Sequence, residues 1–278
     1  MRLRVLGSAI AGTSLHRREA FVPTMGYLLE SGEDHLLLEC GPGAVMAVGT
    51  LMPLHDLAGV LVSHMHFDNC FDLVPLAVGA FMDDLEPLSG IFVGDHRAIP
   101  IWLPCGGARY LRDLLATALR YAPLNLASVL AERVVVREFV PGESCAIGTF
   151  TITALGPVVH GPGPCLGFRI TDGAATVGYS GESGICDAQY AIAHDVDLYL
   201  CDAMMATDDI MGIQTSRHMS AQSAGKIARS AGARQLVLTH MLSQSDEWCD
   251  LLQSVARREC NIPVSIARVD AEFDVPHR

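Results

Sequence analysis

Two apolar periodicities alternate along the chain. Short aliphatic and aromatic runs bounded by glycine, proline or charged residues predict strands at MGYLLES (25–31), HLLLEC (35–40), AGVLVS (58–63) and IPIWLP (99–104). Further β-type runs follow Ala131: RVVVREF (133–139), GTFTITALG (148–156) and LGFRITDGAATVGYS (166–180). In GGARYLRDLLATALRYA (106–122) the apolar residues instead fall three and four apart, the spacing of one helix face. From Asp195 the patterns interleave: strand-like DVDLYLCDA, a helix from about 220 to 231, RQLVLTH, a helix from about 246 to 258, and PVSIARV. Two β-rich halves flanked by helices predict a layered α/β fold.

Composition narrows the class. At 278 residues, half of them hydrophobic, the chain is expected to form one domain over 1–278. Its longest apolar stretch, Leu73 to Met82, contains Pro75 and Gly79 and falls short of the roughly 18 residues that would suggest a membrane span. The start has basic residues without a sustained apolar region or cleavage site behind them, so a cytoplasmic protein without membrane contact is expected. Nine cysteines stand singly with no CxxC pair, the usage of reduced core thiols. The net charge of −12 opposes a long contact with a phosphate backbone, and Lys226 is the only lysine, so no basic arm is present. Nucleic acid is not expected as a partner. The substrate should be a small molecule.

The candidate chemistry lies in LVSHMHFDNC (61–70). Side chains of an extended backbone alternate, so His64 and His66 face the same way and can share a cation. Asp68 extends that row. His160 and His240 also fall at or just past the ends of β-type runs, where loop-borne sites gather. His16, His35, His55, His96, His194 and His277 have no such context and are read as surface or satisfied core residues.

SHMHFDN resembles the H-x-H-x-D-H signature of the metallo-β-lactamase superfamily. Other landmarks follow in the family's order: LGSAIAGT, LLLECGPGA, VVHGPGPCLGFRI, YSGES and LVLTHML. CDAMM and SRHMSAQSAGKIARSAGARQLVLTH resemble the ribonuclease Z and arylsulfatase-like branch. The resemblance implies a four-layered αββα sandwich with a metal site at one edge. It implies one or two zinc ions, the first held by His64, His66 and His160, the second by Asp68, Glu182 and His240 with Glu182 as bridge. Asp68 would steady or deprotonate the attacking water, and His218, oriented by Asp202, would protonate the leaving oxygen. A homodimer is a further expectation from the family.

The departures are informative. Asn69 stands where the family places a second-site histidine, and its amide oxygen is a weak, hard donor, which favours manganese, iron or vacancy there. Glu182 replaces an aspartate, Glu39 is longer and Asp202 shorter than the family's usual acids. Three activities follow in order of preference: a dinuclear hydrolase of small esters, phosphodiesters first; a single-ion hydrolase of lactones or thioesters; and an iron-dependent oxidoreductase. A degenerate metal-binding protein is the non-enzyme alternative. GPGPCLG (161–167) lacks the lysine of a phosphate loop and reads as a turn that delivers His160, and GSAIAGT as a tight turn beside the site. Met204, Met205 and Met211 read equally as pocket lining or core filling. Ser180 and Ser183 lack the context of a serine nucleophile.

Overall fold

A computed structural model describes residues 1–10, 22–82, 97–122, 133–161, 163–208 and 217–276; His16, His96, His277 and Met211 lie outside the described residues. Two mixed seven-stranded sheets face each other. The first runs, in spatial order, β14 (Glu272–Asp274), β1 (Arg2–Gly7), β2 (Gly26–Ser31), β3 (Asp34–Leu38), β4 (Leu57–Leu61), β5 (Ile99–Pro104) and β6 (Val134–Phe139). The second runs β13 (Val264–Ile266), β12 (Leu236–Thr239), β11 (Leu198–Asp202), β10 (Thr176–Tyr179), β9 (Gly167–Thr171), β8 (Phe150–Leu155) and β7 (Ser144–Ile147). The helices are α1 (Ala44–Leu51), α2 (Phe67–Cys70), α3 (Leu73–Met82), α4 (Gly107–Ala118), α5 (Asp187–Ala193), α6 (Ala221–Ala231) and α7 (Asp246–Glu259).

The alternation of side chains along each strand builds the layers. Leu29, Leu36 and Leu38 turn inward to meet Phe168, Ile170, Leu200 and Val237 of the opposite sheet. Their neighbours Leu28 and Leu37 turn outward and pack with Val48, Leu73 and Leu76 of the first helical layer. Tyr199, Cys201, Leu236 and Leu238 do the same on the far side, against Ile192, Ile227 and Leu252. Both faces of the central strands are therefore covered, which is why HLLLEC and RQLVLTH are apolar at consecutive positions. The result is the αββα sandwich that the sequence predicts.

Helices α6 and α7 lie where the periodicity places them. Each starts on a serine whose hydroxyl accepts a backbone N–H: Ser220 from Ser223 at 3.0 Å, and Ser245 from Trp248 at 3.2 Å. The run 166–180 is two strands, β9 and β10, because Asp172 accepts from the backbone of Ala174 and Ala175 and turns the chain between them. Strands β1, β7 and β14 and helices α1, α2, α3 and α5 add to the expected set. In β1 the exposed positions carry Arg2 and Arg4, which reach Glu30 at 2.9 Å and Glu272 at 2.6 Å on its two neighbours. All nine cysteines are free, and no helix among the described residues is long and apolar enough to cross a membrane.

β3 to β6 run parallel, as do β10 to β13. The functional candidates lie at or beyond the C-terminal ends of strands, the usual place for ligand-binding loops in parallel sheets. Gly41, just past β3, lets the segment carrying Asp68 and Asn69 lie against it: Met25 N–H donates to the Asp68 carbonyl at 3.1 Å, and Cys40 N–H to that of Asn69 at 2.7 Å. A methyl group on Gly41 would stand 1.8 Å from the Asp68 carbonyl oxygen and 2.4 Å from Thr24 Oγ1. Gly41→Ala should therefore lower stability by about 1–3 kcal/mol in denaturant unfolding. Gly49→Ala, in α1 with open space around it, should leave stability equal or higher.

Candidate metal centre

His64 follows β4 and is buried. Ser63 Oγ lies 3.0 Å from its Nδ1, and both carboxylate oxygens of Glu39 accept from the Ser63 N–H at 3.2 Å. The ring is thus fixed from behind, and Nε2 faces forward. His160 donates from Nδ1 to the Arg217 carbonyl at 3.1 Å, which likewise leaves Nε2 toward the site. His66 is exposed and turns its Nδ1 to His160 Nε2 at 3.1 Å. The three ring centroids form a nearly regular triangle with sides of 4.5, 4.7 and 4.8 Å.

Glu182, beyond the end of β10, enters this triangle from the opposite sheet. Its Oε2 lies 3.4 Å from His64 Nε2 and 3.3 Å from His160 Nε2. Its Oε1 lies 3.1 Å from His240 Nε2 and accepts from Asn69 Nδ2 at 2.7 Å. One carboxylate therefore spans the two halves of the site.

These distances fit a divalent cation. Two donors each roughly 2.0–2.1 Å from a tetrahedral zinc are about 3.3 Å apart, close to the separations of the pairs His64–Glu182, His160–Glu182 and His66–His160. His64 Nε2 and His240 Nε2 are buried and, despite their nearness to Glu182, make no hydrogen bond of proper geometry. Two imidazole nitrogens 3.1 Å apart, as in His66 and His160, must share either a proton or a cation. Donor atoms of His64, His66, His160 and Glu182 lie within 4.8 Å of one another, and so do those of a second group, Glu182, His218 and His240.

Protonation follows from the same geometry. Burial, with help from neighbouring His64, pushes His160 down to about 4, and burial lowers His66 as well. Burial also opposes charge on His64 and His240, but the Glu182 carboxylate outweighs it and holds both well above the ordinary imidazole value. Glu182 answers in kind: burial raises it, and His240 and His64 together hold it well below the usual carboxylate range. Without a cation, the buried anion is balanced by imidazolium protons.

Asp68 is buried, with Oδ2 3.8 Å from His240 Nε2. It stands beside the cavity of the second group but its carboxylate belongs to neither close donor cluster. Asn69 presents nitrogen, where the sequence reading weighed its oxygen: Nδ2 donates to Glu182 and, more weakly, to Asp68 Oδ1 at 3.4 Å. Asp202 closes β11 with one oxygen 3.0 Å from His218 Nδ1 and the other 3.5 Å from His240 Nδ1. Ser63 and the Arg217 carbonyl are contributors that sequence reasoning did not identify. Ser63 has a signal, since it precedes His64 directly; a backbone carbonyl has none.

Comparison with known proteins agrees with the fold and with the nature of this site. Residues 35–241 match the beta-lactamase superfamily domain. A probable metallo-hydrolase of Bacillus subtilis, YhfI, is 30% identical over 222 residues, covering 78% of this chain and 80% of the relative. The crystal structure of the B. subtilis YhfI protein, described as having the metallo-beta-lactamase fold, superposes with a TM-score of 0.77 at 26% identity over 98% of this chain and 99% of that one. A ribonuclease Z of Myxococcus xanthus is 23% identical over 318 residues, covering 100% of this chain and 99% of the relative. The chain belongs to the metallo-β-lactamase superfamily. Its class is that of metal-dependent hydrolases.

Because His64 and His240 are held protonated by Glu182, cation uptake must expel protons. Zinc titrations in buffers of different ionisation enthalpy should show net proton release. Affinity should rise with pH through and above the ordinary imidazole range, since raised pKa values keep the competing protons on until higher pH. Affinity independent of pH would contradict this account.

Proposed function

We propose that the protein hydrolyses a small phosphodiester, using a divalent cation held by His64, His66, His160 and Glu182. The observation that carries this reading is the convergence of these four donors, with the pairs His64–Glu182, His160–Glu182 and His66–His160 spaced as ligands of one ion would be. The imidazole-rich set favours zinc. When bound, such a cation acts as a Lewis acid and makes a water acidic near neutral pH.

The chain's own residues supply the rest. Asp68, whose backbone carbonyl is held by Met25 N–H and Thr24 Oγ1, would orient the attacking water and accept its proton. His218 has its Nδ1 committed to Asp202, so Nε2 is the atom that delivers a proton to the leaving oxygen. The Asp202 carboxylate keeps that ring in one tautomer, as the aspartate of a Ser-His-Asp triad does. Ser183 N–H and Met204 N–H donate to Asp202 at 3.3 and 3.1 Å and prevent it from turning away.

Beside the imidazole triangle opens a cavity of about 370 Å³, with Met65, Pro104, Cys105, Tyr110 and Pro164 in its wall. No lysine or arginine lines it among the described residues. It suits an uncharged, apolar or ring-bearing part of the substrate, with the anionic phosphate left to the cation. This lining and the acidic charge of the chain favour a small substrate over RNA. The orientation of Asn69, which offers no oxygen to a second ion, supports as a second reading a single-ion enzyme acting on a lactone or thioester.

Purified protein should contain at least one equivalent of transition metal and turn over bis(p-nitrophenyl) phosphate. His64→Ala should lose that ion and at least about 100-fold in kcat/KM. Equal turnover by His64→Ala would refute the site; turnover of lactones or thioesters alone would select the second reading. Tyr110→Ala should raise KM for the aryl phosphodiester several-fold with kcat little changed, as steady-state kinetics would show.

A further inference from the structure

We propose that a second cation site is built from Glu182, His218 and His240, and that Asn69 has left the ligand set to become a clamp on the bridging carboxylate. The proposal rests on the first-ion reading above and changes the identity of the second set of ligands.

Asn69 decides the first half. Its amide lies between two acids, with Nδ2 2.7 Å from Glu182 Oε1 and 3.4 Å from Asp68 Oδ1. Exchanging nitrogen and oxygen would set a carbonyl oxygen against two carboxylate oxygens, so the hydrogen-bond network fixes the orientation. The amide oxygen is buried and without a hydrogen-bond partner on the other side. In this orientation the atom of Asn69 that faces Glu182 Oε1 is the donor Nδ2, not the oxygen that would ligate an ion.

His218 fills the gap. Asp202 faces two imidazoles at once, Oδ2 toward His218 Nδ1 and Oδ1 toward His240 Nδ1. The two rings consequently stack almost parallel, 14° apart with centroids 5.1 Å from each other. With both Nδ1 atoms turned to Asp202, both Nε2 atoms point away from it, that of His240 to within 3.1 Å of Glu182 Oε1. Their donor atoms and that of Glu182 lie within 4.8 Å of one another. His240 Nε2 is buried and lies 3.1 Å from Glu182 Oε1 without a hydrogen bond of proper geometry. A carboxylate behind a metal-ligating histidine is a common means of fixing ring and tautomer, and here one carboxylate serves two rings.

A consequence follows for proton delivery. An Nε2 whose lone pair is on a cation carries no proton, so ligation by His218 and protonation of the leaving oxygen by His218 exclude one another. The one-ion form has the proton donor, and the two-ion form has given it up.

Zinc chloride titration of metal-free protein, followed by calorimetry and by elemental analysis after dialysis, tests the assignment. The full chain should bind two equivalents in two resolvable steps. His218→Ala should keep the first step and weaken the second by at least about 10-fold. Asn69→Ala should weaken the second step less than His218→Ala does. Circular dichroism and thermal unfolding establish that each variant is folded, and Asp202→Asn, which leaves both rings in place, should weaken the second step as well. A second step unchanged in both His218→Ala and Asp202→Asn overturns the proposal, as does a larger loss in Asn69→Ala than in His218→Ala or binding of a single equivalent by the unmodified chain. Failure of the underlying reading would look different: His64→Ala would keep the first ion.

Discussion

One buried carboxylate organises this protein. Glu182 comes from the second sheet and is almost wholly removed from water, and an isolated ionised acid there would be several kcal/mol unfavourable. It is compensated on one oxygen by His64 and His160, on the other by His240 and Asn69. His64 and Asn69 belong to the first sheet's side, His160 and His240 to the second, so balancing that charge ties the two halves of the sandwich together at their shared edge. A divalent cation performs the same electrostatic task as the imidazolium protons and adds directional bonds. The stability of that edge and its chemistry are two outcomes of a single requirement.

The residues behind the donors make the arrangement stiff. Glu39 holds the Ser63 N–H and through Ser63 sets the His64 ring, the Arg217 carbonyl holds His160, and Asp202 holds His218 and His240. Burial raises Glu39 to about 7, against the pull of His64 and Ser63. Glu39 and His240 also have left-handed backbones, with φ of 62° and 55°. That conformation costs a non-glycine residue about 1–2 kcal/mol and persists only where packing over-determines it. Both lie just past the buried end of a central strand, where the chain must turn sharply and still aim a polar side chain into the site.

Much of this was legible in the sequence, for identifiable reasons. His64 and His66 announce themselves because period-two alternation at a strand end leaves few alternatives, and the buried strands announce themselves because both faces are covered. Helices α6 and α7 carry serine caps and a clear apolar stripe. Strand β1 was less visible: its arginines interrupt the apolar pattern, and their partners Glu30 and Glu272 lie far away in sequence. The three residues of β14 are too few to show a period. Pairing of Asp202 with two separate rings depends on the parallel register of β11 and β12, which places Asp202 opposite Thr239 and so next to His240. No local pattern encodes that register.

The sequence presents Asn69 and Glu182 as two separate departures from the family's pattern, and the structure makes them one. The extra methylene of glutamate extends the carboxylate far enough for Oε1 to reach the Asn69 amide while Oε2 remains against His64 and His160. A histidine at position 69 would bring a bulkier ring to a spot already taken by that longer acid, and a lone pair where Glu182 now receives a proton donor. An aspartate at position 182 would withdraw the oxygen that Asn69 holds. Each substitution is coherent only with the other beside it. The second half of the site is therefore held differently: the Asn69 amide donates to Glu182 Oε1, and Asp202 faces the rings of His218 and His240.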